Sequence, residues 1–277
     1  MKLKTFVALL FFIISPAIFS GPQTGTVILE NIPAPSLASN VLNEPIQQPI
    51  AVYLPPSYYT NIDKRYPVIY FLPGYEDTLA AYLKGYVGGY FFEKSMNSNI
   101  TQGRLKEVIM VMVNGYNVLE GSFFQNSPVT GNWEDFVVHD VVDYIDANYR
   151  TLPNADSRAL VGLSMGGYGA LNLSMRNPSV FSIGVGECPG LADESGLMNS
   201  SLFNDTVLIH KIISLKNYFD TLPKVEARQK YLDTVAYFTA DPDWLPIFTL
   251  AYGSAFAPDT AAGAPYFDYP FTEDSNG

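Results

Sequence analysis

Gly162-Leu163-Ser164-Met165-Gly166 matches G-x-S-x-G, and further glycines follow at Gly167 and Gly169. Glycines two before and two after a serine remove the side chains that would clash in a sharp strand-to-helix turn. Such a turn presents the serine hydroxyl at a helix start, where amide N–H groups and the helix dipole favour developing negative charge. The chemistry this suits is nucleophilic attack on an acyl carbon. A plain helix-capping serine is the alternative reading of the same residues. An attacking serine also needs donors for the oxyanion. In this arrangement one is the N–H of the next residue, Met165, and the other comes from a loop after an earlier strand. Phe71-Leu72-Pro73-Gly74-Tyr75 ends such a strand. Gly74 holds the backbone open there, so that the Tyr75 N–H is the expected second donor.

The elements that must position these groups follow from hydrophobic patterning. Residues 25–30, 49–54, 66–72, 108–113, 158–162 and 182–186 read as strands, several of them continuous apolar runs. Such runs suit a sheet buried on both faces. Helical patterns are expected over 77–96, 133–149 and from Met165 to about Asn177. Asn132 is the expected N-cap of the second, with Asp135 at its third position. Strand and helix alternate, which gives an α/β fold with a mainly parallel sheet. Beyond residue 190 helical stretches (213–219, 224–240) mix with aromatic and proline-rich loops. Runs at 206–209 and 248–252 fit strand or helix. This region reads as a cap over the sheet.

Composition bounds the partners and the compartment. The chain has 277 residues, with 16 Lys+Arg against 27 Asp+Glu and a net charge of −11. Polyphosphate would be repelled, so a nucleic-acid partner is not expected. One cysteine excludes a disulfide framework, and Cys188 is expected to be buried as a small hydrophobe. No Asp/His cluster with metal spacing and no phosphate-binding glycine loop is present, so no cofactor is expected. Lys2 and Lys4 precede an apolar run over residues 6–14, and small residues follow at Ser15, Ala17 and Ser20. This is the pattern of a secretory signal peptide cleaved after Ala17 or Ser20, which predicts a secreted or periplasmic protein with no membrane span after cleavage. Residues 21–277 are then the mature domain.

Four segments together resemble the esterase family of α/β hydrolases: 66–74, 131–136, 144–151 and 162–170. That family includes S-formylglutathione hydrolases, feruloyl and enterochelin esterases and mycolyltransferases. The Ala51-Val-Tyr-Leu-Pro-Pro56 strand and turn fit it too. The resemblance covers roughly residues 25–190. It implies an α/β-hydrolase fold and a carboxylic-ester hydrolase or acyltransferase acting on small or carbohydrate-linked esters. The family commonly has His-Gly where this chain has Pro73-Gly74. Family order is Ser, then Asp, then His, and here the later two are not found. His139 precedes Ser164 on a helix. His210 follows Ser164 but lacks an Asp on a strand-end loop. By the resemblance, the acid and base lie beyond residue 277 and the last strands are missing. A pseudoenzyme and a recruited His210 are the other two readings. Asn126, Ser127 and Trp133 are further candidates for lining the pocket, Glu187 for supporting it. The aromatic residues Tyr252, Phe256, Tyr266, Phe267 and Tyr269 are candidates for an acyl or sugar platform or for plain core.

Overall fold

The computed structural model describes residues 24–89, 91–190, 196 and 198–271. The signal segment read from residues 1–20 lies outside them. Six strands form one sheet in the order β1-β2-β4-β3-β7-β8. They are β1 (Thr26–Pro33), β2 (Gln47–Leu54), β3 (Val68–Leu72), β4 (Ile109–Val113), β7 (Arg158–Leu163) and β8 (Ile183–Glu187). β1 and β2 run antiparallel to their neighbours, and β4, β3, β7 and β8 are mutually parallel. A second, two-stranded ribbon pairs β5 (Asn126–Ser127) with β6 (Gly131–Asn132).

The side-chain period of a strand divides the core into two layers. Ile50, Val52, Leu54, Val68, Tyr70, Leu72, Val111 and Val113 face the larger one. Ala51, Tyr53, Met110 and Met112 face the smaller. The smaller layer is closed by α1 (Leu79–Leu83) and α2 (Phe92–Thr101) through Leu79, Tyr82, Phe92 and Met96. The single helix expected over 77–96 is therefore two. Gly85, Gly88 and Gly89 adopt positive φ between them, and a continuous helix cannot pass through that backbone.

The larger layer is closed by α3 (133–148) and α4 (Met165–Arg176). The middle of α3, Phe136–Val141, is π-helical. The Asn132 side chain makes no cap bond. Asn126 from β5 does that work, accepting the Asp135 N–H (3.1 Å) and donating to the Asp135 carboxylate (2.9 Å). Beyond residue 190 the described chain forms α5 (Ser201–Asn204), α6 (Thr206–Asp220), α7 (Lys224–Thr239) and α8 (Leu245–Phe256). Both ambiguous runs, 206–209 and 248–252, are helical. The Asp205 side chain caps α6 by accepting the Val207 and Leu208 N–H groups, and Pro246 opens α8. Among the described residues no helix is long and apolar enough to cross a membrane.

Candidate active site

Three strand ends meet at Ser164. In the register, Leu72 of β3 pairs with Gly162 of β7, and Gly162 pairs with Gly186 of β8. The carboxyl ends of parallel strands are where α/β folds place their sites. Ser164 takes φ 54°, ψ −115° at the N-terminus of α4. For a serine this left-handed φ costs about 1–3 kcal/mol and must be held by its surroundings. Backbone bonds on both sides hold it. The Ser164 N–H donates to Glu187 O (2.9 Å), and Ser164 O accepts from Tyr168 N (3.0 Å) and Gly190 N (3.1 Å).

The glycines are required by contact. A Cβ on Gly162 would sit 2.0 Å from Gly166 O, and one on Gly166 would sit 1.9 Å from Leu72 O. Both obstacles are backbone atoms, so neither can yield. Gly74 faces the serine: a Cβ there would lie 3.6 Å from Ser164 Cβ and 2.8 Å from Asp77 Oδ2. Among the described residues, the N–H groups of Met165 and Tyr75 have no hydrogen-bond acceptor. One unspent donor thus follows Ser164 directly, and the other follows Gly74, which faces the serine.

The side chain of Asp77 organises this loop and was not singled out from sequence. Its Oδ2 accepts the Gly74 N–H (3.0 Å) and the Tyr82 hydroxyl (2.8 Å). The carboxylate fixes the Pro73–Gly74 peptide, and the Asp77 N–H donates to Gly74 O (3.3 Å), which orients the next peptide, the one that carries the Tyr75 N–H. Burial first, then the Asp77 bond and charge, push the Tyr82 phenol upward, so it stays a donor. The Tyr75 ring is locked separately. Its hydroxyl donates to Leu119 O (2.9 Å), and its ring lies 4.9 Å from that of Phe248 and 6.0 Å from that of Phe123. Burial, with the Glu120 and Glu76 charges behind it, raises the Tyr75 phenol as well.

The 114–125 loop forms the other wall. Phe123 and Phe124 both adopt φ 52°, and the Phe123 N–H points at Met165 Sδ (3.3 Å). Asn117 Oδ1 accepts the Leu119 and Gly121 N–H groups (2.9 and 3.1 Å). Glu44, from the loop before β2, accepts the Val118 N–H at 2.8 Å. Burial pushes the Glu44 carboxyl up to about 7, partly offset by that backbone bond.

Other residues singled out from sequence fall elsewhere. Trp133 is fully buried in the core and donates to Thr130 O (2.8 Å), so it lines no open pocket. Asn126 is occupied with Asp135, and the buried Ser127 hydroxyl donates to Ser254 O (2.6 Å). Their spacing before a helix reflects the anchoring of α3. Glu187 gives Ser164 its backbone carbonyl, while its side chain is exposed at the strand end. Cys188 is exposed, with φ 42°, instead of buried: it lies in the left-handed turn that leaves β8, past the sheet edge. His139 is exposed on α3 and His210 is exposed on α6. Among the described residues no side chain hydrogen-bonds to Ser164 Oγ, and no group of His, Cys, Asp and Glu could hold a metal ion.

Comparison with known proteins gives the site its context. An esterase of Mycobacterium tuberculosis is 30% identical over 132 residues, which are 46% of this chain and 26% of that protein. An endo-1,4-beta-xylanase/feruloyl esterase of Xylanibacter ruminicola is 30% identical over 137 residues, 47% of this chain and 18% of that protein. The chain thus spans about a quarter or less of the length of the curated relatives it matches. Among solved structures, a ferulic acid esterase is 27% identical with TM-score 0.47, covering 57% of this chain and 56% of that one. An S-formylglutathione hydrolase from Staphylococcus aureus is 18% identical with TM-score 0.47, covering 65% and 64%. Residues 39–198, which carry the elbow, the Gly74 loop and the sheet that joins them, match the Esterase family over more than half of the sequence, and the chain belongs to that family.

Proposed function

We propose that the protein is an exported serine ester hydrolase that works through an acyl-enzyme on small or carbohydrate-linked esters. The observation that carries this reading is the strained Ser164 at the start of α4, with the unspent Met165 N–H directly after it and the unspent Tyr75 N–H after Gly74, which faces it. Ser164 Oγ adds to the ester carbonyl. The two N–H groups take the oxyanion of the tetrahedral intermediate, which collapses by expelling the alcohol. Water then adds to the acyl-serine, and the acid leaves. An acceptor alcohol in place of that water makes the same site an acyltransferase.

The base that relieves Ser164 of its proton is assigned to neither histidine, since both are exposed on helices. Export is supported by the charged start and the apolar run over residues 6–14. The feruloyl esterase among the relatives supports a carbohydrate-linked ester. The reading uses no metal and no cofactor. A second reading, a hydrolase-shaped binding protein, is favoured by the absence of any side chain bonded to Ser164 Oγ among the described residues. One experiment separates the two. The exported protein and its Ser164→Ala variant are incubated with p-nitrophenyl acetate and with a fluorophosphonate probe. Hydrolysis and labelling lost in the variant support the enzyme. Equal rates and equal labelling overturn it.

A further inference from the structure

The family match ends at residue 198, but the walls beside the nucleophile do not. An apolar cavity of about 540 Å³ lies between α5, α8 and the 267–270 segment. Leu202, Phe203, Tyr252, Phe256, Phe267 and Tyr269 line it. Every one of these residues lies beyond the matched segment, so the cavity is a feature of this chain's own helical region.

Two of its lining rings pack against residues beside Ser164. Tyr168 stands one turn along α4 from the serine and bonds to its carbonyl. The Tyr168 ring lies 5.6 Å from the ring of Phe256. On the other side, Phe123 donates its N–H to Met165 Sδ, and its ring lies 5.3 Å from Phe256 and 5.5 Å from Tyr252. Tyr252 and Phe256 of the lining are thus one ring contact away from the nucleophile's turn.

The lining decides which part of an ester fits. The Thr249 hydroxyl is already bonded to Leu245 O (2.8 Å). Asp268 is exposed. The Tyr269 hydroxyl is buried and has no partner among the described residues, a single polar atom. A saccharide would bring many hydroxyls into this space and leave most unpaired, at a cost for each. A charged acid would meet the same penalty and the carboxylate of Asp268 in the lining. A neutral alkyl chain meets neither. The volume equals roughly 18 waters at about 30 Å³ each, and a methylene fills about as much space as a water. That is far more than an acetyl group uses.

We infer that this cavity is the acyl pocket of the site, built for a medium-chain alkanoyl group whose carbonyl sits at Ser164. The inference rests on the reading of Ser164 as nucleophile. Each methylene that leaves water for the cavity is worth about fourfold in kcat/KM. From p-nitrophenyl butyrate to the octanoate, four methylenes give a rise of about two orders of magnitude.

The test has three arms on the full chain. The first is kcat/KM for the acetate, butyrate and octanoate esters. The second repeats this in Ala257→Trp and, independently, Phe203→Trp, each of which puts an indole into the cavity. The octanoate-to-butyrate ratio, which cancels any loss of folded protein, is expected to fall at least about tenfold in both variants. The third needs no catalysis: methyl octanoate is titrated against N-phenylnaphthylamine bound to Ser164→Ala. Displacement there, weakened by Ala257→Trp, supports the pocket. A flat ratio in the parent chain, or a ratio that neither variant moves, overturns it, as does failure of methyl octanoate to displace the probe. Hydrolysis that persists in Ser164→Ala with displacement intact would instead sink the nucleophile assignment alone.

Discussion

Replacing Glu44 with Gln should remove most of a stability loss that the protein suffers between acid and neutral pH. Glu44 is 8% exposed, and among the described residues its carboxylate accepts one hydrogen bond, from the Val118 N–H. Burial raises its carboxyl from 4.5 to about 7. Below the unfolded value both states hold the proton, and the native state bears no charge penalty. Between about 4.5 and 7 the unfolded chain releases the proton while the native state keeps it, so stability falls as pH rises. Above 7 the native carboxylate is ionised in a buried site, and the full difference is felt. A difference of 2.5 pKa units at 1.36 kcal/mol each gives a ceiling of about 3 kcal/mol, with a slope near 1.4 kcal/mol per pH unit inside the window.

Gln keeps the shape and the Oε1 acceptor for Val118 but cannot ionise. The two proteins should therefore unfold alike at pH 4.5, and the variant should be the more stable by about 2–3 kcal/mol at pH 8. For a chain of this size that is about 4–12 °C in Tm. Urea or thermal unfolding of both proteins at pH 4.5, 6, 7 and 8 measures it. Asp140 and Glu120 are also raised, chiefly by burial, and tilt both curves in the same direction. The quantity to read is therefore the difference between the curves. Parallel curves across the whole range would refute the reasoning, because they would mean that the Glu44 carboxyl ionises as freely in the fold as outside it.

Two further substitutions test the geometry around Ser164. Asp77→Ala leaves the Gly74 N–H and the Tyr82 hydroxyl without their acceptor, and should cost about 1–3 kcal/mol in urea unfolding. If Asp77 also orients the Tyr75 donor, kcat on p-nitrophenyl acetate falls about 10²-fold with KM little changed, and a loss confined to KM would refute that positioning role. Gly162→Ala places a methyl 2.0 Å from the Gly166 carbonyl oxygen and should abolish fluorophosphonate labelling even where circular dichroism shows folded protein. Retained labelling would show that the turn has slack that these contacts deny.

What the sequence disclosed was local. The elbow is legible because its demands run between neighbours: Gly162 against Gly166, and the apolar strand and α4 on either side. The sheet is legible for a similar reason, since each run of β-branched and apolar residues is its own signal. The misjudged elements turned on backbone conformation or on a neighbour that the apolar pattern does not display. Asn132 has the right type for a cap, but Asn126, brought across by the β5–β6 ribbon, reaches Asp135 first. Cys188 has a composition-level expectation of burial, which the left-handed turn after β8 overrides. The break between α1 and α2 was written in Gly85, Gly88 and Gly89, and a helical reading of 77–96 passes over them.

The site shows the same division more sharply. Tyr75 and Met165 could be named from spacing because their proposed contribution is backbone, which any sequence in that turn provides. Asp77 could not, because its role depends on the Gly74 N–H pointing back at a side chain three residues on. The aromatic residues beyond 245 are the extreme case. Tyr252, Phe256 and Phe267 lie in a region whose spacing reads equally well as core or as platform. In the fold Tyr266 and Phe267 are buried in the core, while Phe256 approaches both Tyr168 and Phe123, contacts that no spacing displays. The part of the chain proposed to perform acyl transfer is thus inscribed in short motifs. The part that would choose the acyl group is inscribed in the packing between α8 and those motifs, and the two can vary independently.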